Sequence, residues 1–160
     1  MSEQLTIIGM GDMCVGKSPG VFRTNLGSCV AVCVYVPSKK TGGLVHCMMP
    51  TCMTKNSHEK KPTKYVDSGV DELLAKIKTL CGVSEGHEMQ AKLFGGAKIL
   101  VQVTADIGND NAVKAKEILK GKGIKIVAEK LGGVKGYKVD MNLETGGVSC
   151  QVFGQATEEF

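Results

Sequence analysis

The sequence predicts one mixed-sheet α/β domain with two main helices, and three observations carry that expectation. Short β-branched runs stopped by Gly or Pro recur along the chain, as strands do. Two longer stretches repeat their apolar residues on a helical period. The length, 160 residues, suits one domain with a real core over 1–160 and is too short for two comfortable ones.

Residues 5–9 read as a short first strand, followed by the Gly- and Pro-containing stretch Gly16 to Gly20. Val21 to Leu26 is a second extended piece, leading to a tight Gly27-Ser28 corner. From Cys29 to Val36 the chain is almost unbrokenly apolar and stops at Pro37, which fits a buried strand. The segment 38–43 reads as a turn, and Leu44 to Met49 as the antiparallel partner strand ending at Pro50. Residues 51–62 are polar, with Lys55, Lys60 and Lys61, and read as an exposed loop. Val66, Val70, Leu73, Leu74, Ile77, Leu80 and Cys81 then form one stripe on a 3.6-residue period, a helix that Gly82 ends.

Glu88 to Phe94 is the next strand, closed by Gly95-Gly96. Asn109 or Asp110 can cap a second helix running to about Lys120, with Val113 and Ile118 among its buried positions and Gly121 as its stop. Ile124 to Glu129 is a strand. Tyr137 to Leu143 and Val148 to Phe153 make a hairpin around Glu144-Thr145-Gly146-Gly147, and the last few residues are expected to fray.

Composition narrows the function. The net charge of +4 is mild, and no basic block carries interleaved aromatics, so nucleic acid is not expected as a partner. No apolar run is long enough to span a membrane, and the first residues lack the features of a signal peptide, so the cytoplasm is expected. Seven cysteines cannot all pair within one chain, and buried free thiols are their default state in a reducing compartment. Gly9-Met10-Gly11 lacks the third glycine of a dinucleotide fingerprint, and no phosphate-binding loop is present.

One cysteine sits in an unusual place. The corner Gly27-Ser28 sets Cys29 at the start of a buried strand, where backbone N–H groups can face a ligand and Gly27 permits close approach. A cysteine nucleophile needs a base, and His46, inside the next apolar strand, is the best candidate. His58 and His87 lie in polar connectors. Equal counting from a 37–43 turn, however, places His46 opposite residue 34, away from Cys29. A strand-start cysteine is also more commonly a small buried hydrophobe than a nucleophile. A metal site would draw on Cys29, Cys33, Cys47, Cys52 and His46. Residues four apart on a strand stand about 13 Å apart at ~3.3 Å per residue. Two thiolates on one zinc need about 4 Å.

In their order along the chain, Pro19-Gly20, Thr24-x-Leu26-Gly27-Ser28-Cys29-Val30-Ala31-Val32 and Gly43-x-x-His46-x-Met48-x-Pro50 resemble the CheD family, the chemoreceptor glutamine deamidases. Lys64-Tyr65-Val66-Asp67, Gly95-Gly96-Ala97, Ile107-Gly108 and Glu144-Thr145-Gly146 extend the resemblance from about residue 5 to about 153. The resemblance implies a layered α/β sandwich of mixed sheets, related to the cytotoxic necrotizing factor toxins. It implies a Cys29–His46 pair assisted by Thr24, with Ser28 and Gly27 near the substrate and the oxyanion, and no metal or organic cofactor. The implied substrate is a glutamine on a methyl-accepting chemotaxis receptor, and the implied regulatory partner is a CheC-type phosphatase. A CheD-like binding module that regulates such a phosphatase with little catalysis is the alternative.

Overall fold

The computed structural model describes residues 4–52 and 61–160. Within these residues ten strands form two five-stranded sheets. Strands β1 (Leu5–Ile7), β2 (Met13–Lys17), β3 (Val21–Leu26), β4 (Val30–Val36) and β5 (Thr41–Cys47) come first. Helix α1 (Val66–Cys81), β6 (Gln90–Gly95), helix α2 (Ile107–Gly121) and β7 (Lys125–Leu131) follow. The chain then closes with β8 (Tyr137–Asn142), β9 (Val148–Val152) and β10 (Glu158–Glu159).

One sheet has the order β1-β3-β8-β9-β10 and the other β2-β5-β4-β6-β7. Both are mixed, because β1 runs parallel to β3 and β6 parallel to β7. Alternation along the central strand β4 divides the core in two. Val30, Val32, Val34 and Val36 face one apolar layer with Val70, Leu73, Ile77, Ala115 and Leu119 of the helices. Cys29, Ala31, Cys33 and Tyr35 face the other layer, shared with Phe22, Tyr137, Val139 and Met141 of the opposite sheet. The architecture is helices on sheet on sheet: the mixed-sheet α/β domain expected from the elements, in the layered sandwich that the family resemblance implies.

Several local expectations need correction. β2 is a strand the sequence does not announce, overlapping the Gly- and Pro-containing stretch only at Gly16 and Lys17, and β5 begins at Thr41 rather than Leu44. The glycines that suggest a turn belong to the strand because neighbours leave no room for side chains. A Cβ on Gly43 would stand 2.6 Å from Leu73 Cδ1, and one on Gly42 2.7 Å from Val34 O. Helix α2 is capped by Asp106, whose carboxylate accepts the Asn109 N–H, and not by Asn109 or Asp110. Its buried face is Gly108, Asn111, Ala112, Ala115 and Leu119. Val113 therefore points to solvent, and Ile118 is only partly covered. Leu80, at the edge of the α1 stripe, is also exposed.

The C-terminus is pinned rather than frayed: β10 pairs with β9, and the Phe160 ring meets Phe94 edge-on at 5.5 Å. Lys61 is exposed and pairs with Asp12 at 2.8 Å, while Lys55, Lys60 and His58 lie outside the described residues.

Candidate active site

The register of β4 against β5 decides where His46 goes. With β5 starting at Thr41, the pairing is Val36↔Thr41, Val34↔Gly43 and Ala31↔His46. The expected pairing with residue 34 is thus off by three positions. His46 lies directly across from Ala31, two residues from Cys29, and Cys29 and Ala31 share the layer between the sheets.

The opposite sheet supplies the third group. Along β3, Phe22, Thr24 and Leu26 are the buried positions, so the Thr24 side chain enters the same layer. Its Oγ1 stands 2.7 Å from His46 Nδ1 and 2.7 Å from the carbonyl oxygen of Ile8. A hydroxyl has one proton, and a carbonyl can only accept. Thr24 therefore donates to Ile8 O and accepts from Nδ1–H. This assigns the tautomer of His46: the proton is on Nδ1 and the lone pair on Nε2. Nε2 is buried with no hydrogen-bond partner.

Electrostatics keeps the pair uncharged at rest. Burial lowers His46 to about 4, with Asp12 opposing weakly, so the imidazole is neutral near pH 7. Burial also raises the Cys29 thiol, partly offset by its own backbone N–H. Asp12 is further tied to the site through its carbonyl, which accepts the His46 N–H at 2.9 Å.

Cys29 sits in a corner whose carbonyls are all held from outside. Gly27 O accepts the Ala97 N–H at 3.0 Å, and Cys29 O accepts the Gly96 N–H at 2.8 Å. Between them, Ser28 O accepts from Asn111 Nδ2 at 3.0 Å. Such close approach needs a bare backbone. Gly95 has φ 101°, and a Cβ there would stand 2.5 Å from Cys29 O.

Ser28 opens onto a pocket of about 130 Å³ with Ile99, Leu100, Val103, Ile107 and Gly108. Gly27 faces the same wall, its absent Cβ 3.3 Å from Ile99 Cγ1. A larger groove of about 720 Å³ runs between α2 and β7 past Lys116, Lys120 and Glu129, but neither Cys29 nor His46 borders it.

The alternative metal set does not converge. Cys33 joins Cys29 in the layer between the sheets, while Cys47 joins the layer under the helices. Among the described residues no three His, Cys, Asp or Glu side chains gather to hold an ion. His87 is exposed on its connector.

Sequence reasoning brings forward Cys29, His46, Thr24, Ser28 and Gly27, and misses Asn111. That residue is fully buried, and its Nδ2 also donates to Met48 O at 3.1 Å. A signal existed: Asn111 falls four residues before Ala115 and eight before Leu119, on the face that α2 buries. An amide on a buried stripe has a polar partner to meet.

Comparison with known proteins matches this chain to one family. A family profile described as CheD chemotactic sensory transduction matches residues 48–152. A Pyrococcus abyssi protein named probable chemoreceptor glutamine deamidase CheD is 39% identical over 158 residues, covering 95% of each chain. The Thermotoga maritima protein named chemoreceptor glutamine deamidase CheD is 40% identical over 141 residues, 88% of this chain and 87% of its own. A relative from Desulforamulus reducens, named as probably the same, is 38% identical over 152 residues, 92% of this chain and 90% of its own. The solved Bacillus licheniformis hypothetical protein YfiH superposes on 74% of this chain and 49% of its own, with TM-score 0.47 and 11% identity, too distant to carry an argument. The profile covers residues 48–152 and the relatives nearly the whole sequence, and the chain belongs to the CheD family.

Proposed function

We propose that this protein is a chemoreceptor glutamine deamidase, acting as one domain and using Cys29 as nucleophile, His46 as base and Thr24 as the group that orients the base. The observation that carries the reading is the relay from Ile8 O through Thr24 to Nδ1 of His46, which leaves a buried, unpartnered Nε2 lone pair in the layer that also holds Cys29. The names of the relatives, chemoreceptor glutamine deamidase, supply the substrate class.

The steps balance without a cofactor. Nε2 takes the Cys29 proton as Sγ attacks the side-chain carbonyl carbon of a glutamine. Charge on the carbonyl oxygen is met by backbone N–H groups at the corner, that of Cys29 among them. The imidazolium returns the proton to the leaving nitrogen, ammonia departs, and a thioester remains. Water then gives a proton to Nε2 and its hydroxide to the thioester carbon. Glutamate and the free thiol are the products. Because the base begins neutral, it can accept a proton at neutral pH.

The substrate glutamine must project from a protein surface, and the rim of the site suits that. Ile99, Leu100, Val101 and Val103 are exposed together beside the pocket that Ser28 lines. A receptor helix in the cytoplasm would lay its apolar flank there. The alternative, a binding module for a CheC-type phosphatase, could share this rim but gives no use to the unpartnered Nε2. No helix among the described residues is long and apolar enough to cross a membrane.

The test is incubation with a receptor cytoplasmic fragment, followed by peptide mass spectrometry. The expected result is the mass increase of a side-chain amide becoming a carboxylic acid, absent with Cys29→Ala. Equal conversion by the variant would overturn the reading, as would no conversion by the wild type.

A further inference from the structure

The corner that carries Cys29 is also fixed from helix α2, which contributes no member of the Cys–His–Thr relay. Asn111 is 0% exposed on α2, and its amide nitrogen donates to Ser28 O at 3.0 Å and Met48 O at 3.1 Å. Its orientation is unambiguous, since turning the amide over would set Oδ1 against two carbonyl oxygens. Oδ1 itself is buried with no partner. That is an energetic cost the fold carries to keep an NH2 group at this point.

Ser28 O belongs to the peptide unit whose N–H is that of Cys29. In a trans peptide the two point in opposite directions within one plane. Holding Ser28 O from one side therefore aims the Cys29 N–H to the other, and accepting a bond at the carbonyl makes that N–H a stronger donor. Gly27 O and Cys29 O are held by backbone N–H groups of Ala97 and Gly96, so the middle carbonyl is the one fixed by a side chain. The second proton of the same amide reaches Met48, two residues beyond His46.

We propose that Asn111 is a positioning residue: it orients the Cys29 backbone N–H as an oxyanion donor and ties the nucleophile's corner to Met48, the residue that follows the strand carrying the base. This rests on the deamidase reading above.

Steady-state kinetics on a receptor fragment test it, using Asn111→Leu, the milder Asn111→Ser, and Leu119→Ala as a control on the same buried helix face. Both Asn111 variants should lose roughly 10- to 100-fold in kcat with KM within about twofold, less than the ~10²–10³ lost when an oxyanion donor is deleted outright. Alkylation of Cys29 by iodoacetamide, which develops no oxyanion, should proceed at the wild-type rate in both. Leu119→Ala should lower thermal stability and leave kcat unchanged.

Wild-type kcat in the Asn111 variants would overturn the proposal. So would parallel loss of turnover and alkylation, which would mean a collapsed site. Absence of conversion by the wild type would instead remove the deamidase reading. Should neither variant fold, the wild-type protein decides by NMR. When Cys29 captures a peptide aldehyde as a hemithioacetal, the Asn111 side-chain amide protons should shift, and unmoved resonances would overturn the proposal.

Discussion

Burial draws His46 down to about 4 and pushes the Cys29 thiol up, so the resting pair is thiol and imidazole rather than an ion pair. In the proposed mechanism the charged state would form only during attack, when substrate dipoles can share in stabilising it. In such a site the tautomer matters more than the charge. If the Nδ1–H were unbound, the proton could sit on either nitrogen, and half the useful lone pair would be lost to the wrong one. Thr24 prevents this because Ile8 O has already taken its only proton. Thr24→Val should therefore keep the fold and lower kcat roughly 10- to 100-fold, a part of the ~10²–10⁴ that a positioned base contributes. Thr24→Ser, which keeps the hydroxyl, should retain most of the activity. Steady-state kinetics on the two variants, with circular dichroism for the fold, checks this; equal losses in both would assign Thr24 a packing role instead.

At the scale of elements, the site depends on where β5 starts. Periodicity made α1 legible, and an unbroken β-branched run stopped by Pro37 did the same for β4, while short apolar stretches bounded by glycine turns marked β3 and the β8–β9 hairpin. Thr41-Gly42-Gly43 misled because glycine pairs read as turns, whereas here they admit Leu73 and the backbone of β4. Starting the strand three residues earlier moves His46 from opposite residue 34 to opposite Ala31. Local sequence, the Gly27-Ser28 corner and the apolar run around His46, could nominate Cys29 and His46, but their meeting depends on register, which is a tertiary property. Asn111 stayed hidden for the same reason: its partners, Ser28 O and Met48 O, are distant in sequence. The crossover after β6 was legible only as two glycines, yet its Gly96 N–H holds the carbonyl of Cys29. Gly95→Ala would force a Cβ to within 2.5 Å of Cys29 O from a left-handed φ of 101°. It should cost about 1–3 kcal/mol in strain and lower kcat together with stability. Urea unfolding and turnover on the same sample measure both, and an unperturbed kcat would show that the corner is held without this contact.

For the whole molecule, the neutral buried histidine makes stability depend on pH. An unfolded histidine titrates near its ordinary 6.5, whereas His46 in the fold binds its proton only near 4. Between these values the unfolded chain holds more protons than the native one, so stability rises with pH through that window and is lost as pH falls. The contribution is complete above about 6.5 and gone below about 4, with an upper size on the order of 3 kcal/mol at 1.36 kcal/mol per pH unit. The two-sheet architecture makes this global rather than local, since the ring is held from both sheets: it stands on β5, and its Nδ1 bonds Thr24 of β3. Glu144, held below its usual range by Lys40 and Ser18, also favours the fold less in acid, so the total slope does not isolate His46. A difference does. Urea unfolding of the wild type and of His46→Gln at pH 7 and pH 4.5 should show the wild type losing about 2–3 kcal/mol more than the variant over that interval. Parallel losses in the two proteins would mean that the imidazole is hydrated in the native state, and the neutral-base account of the site would fall with it.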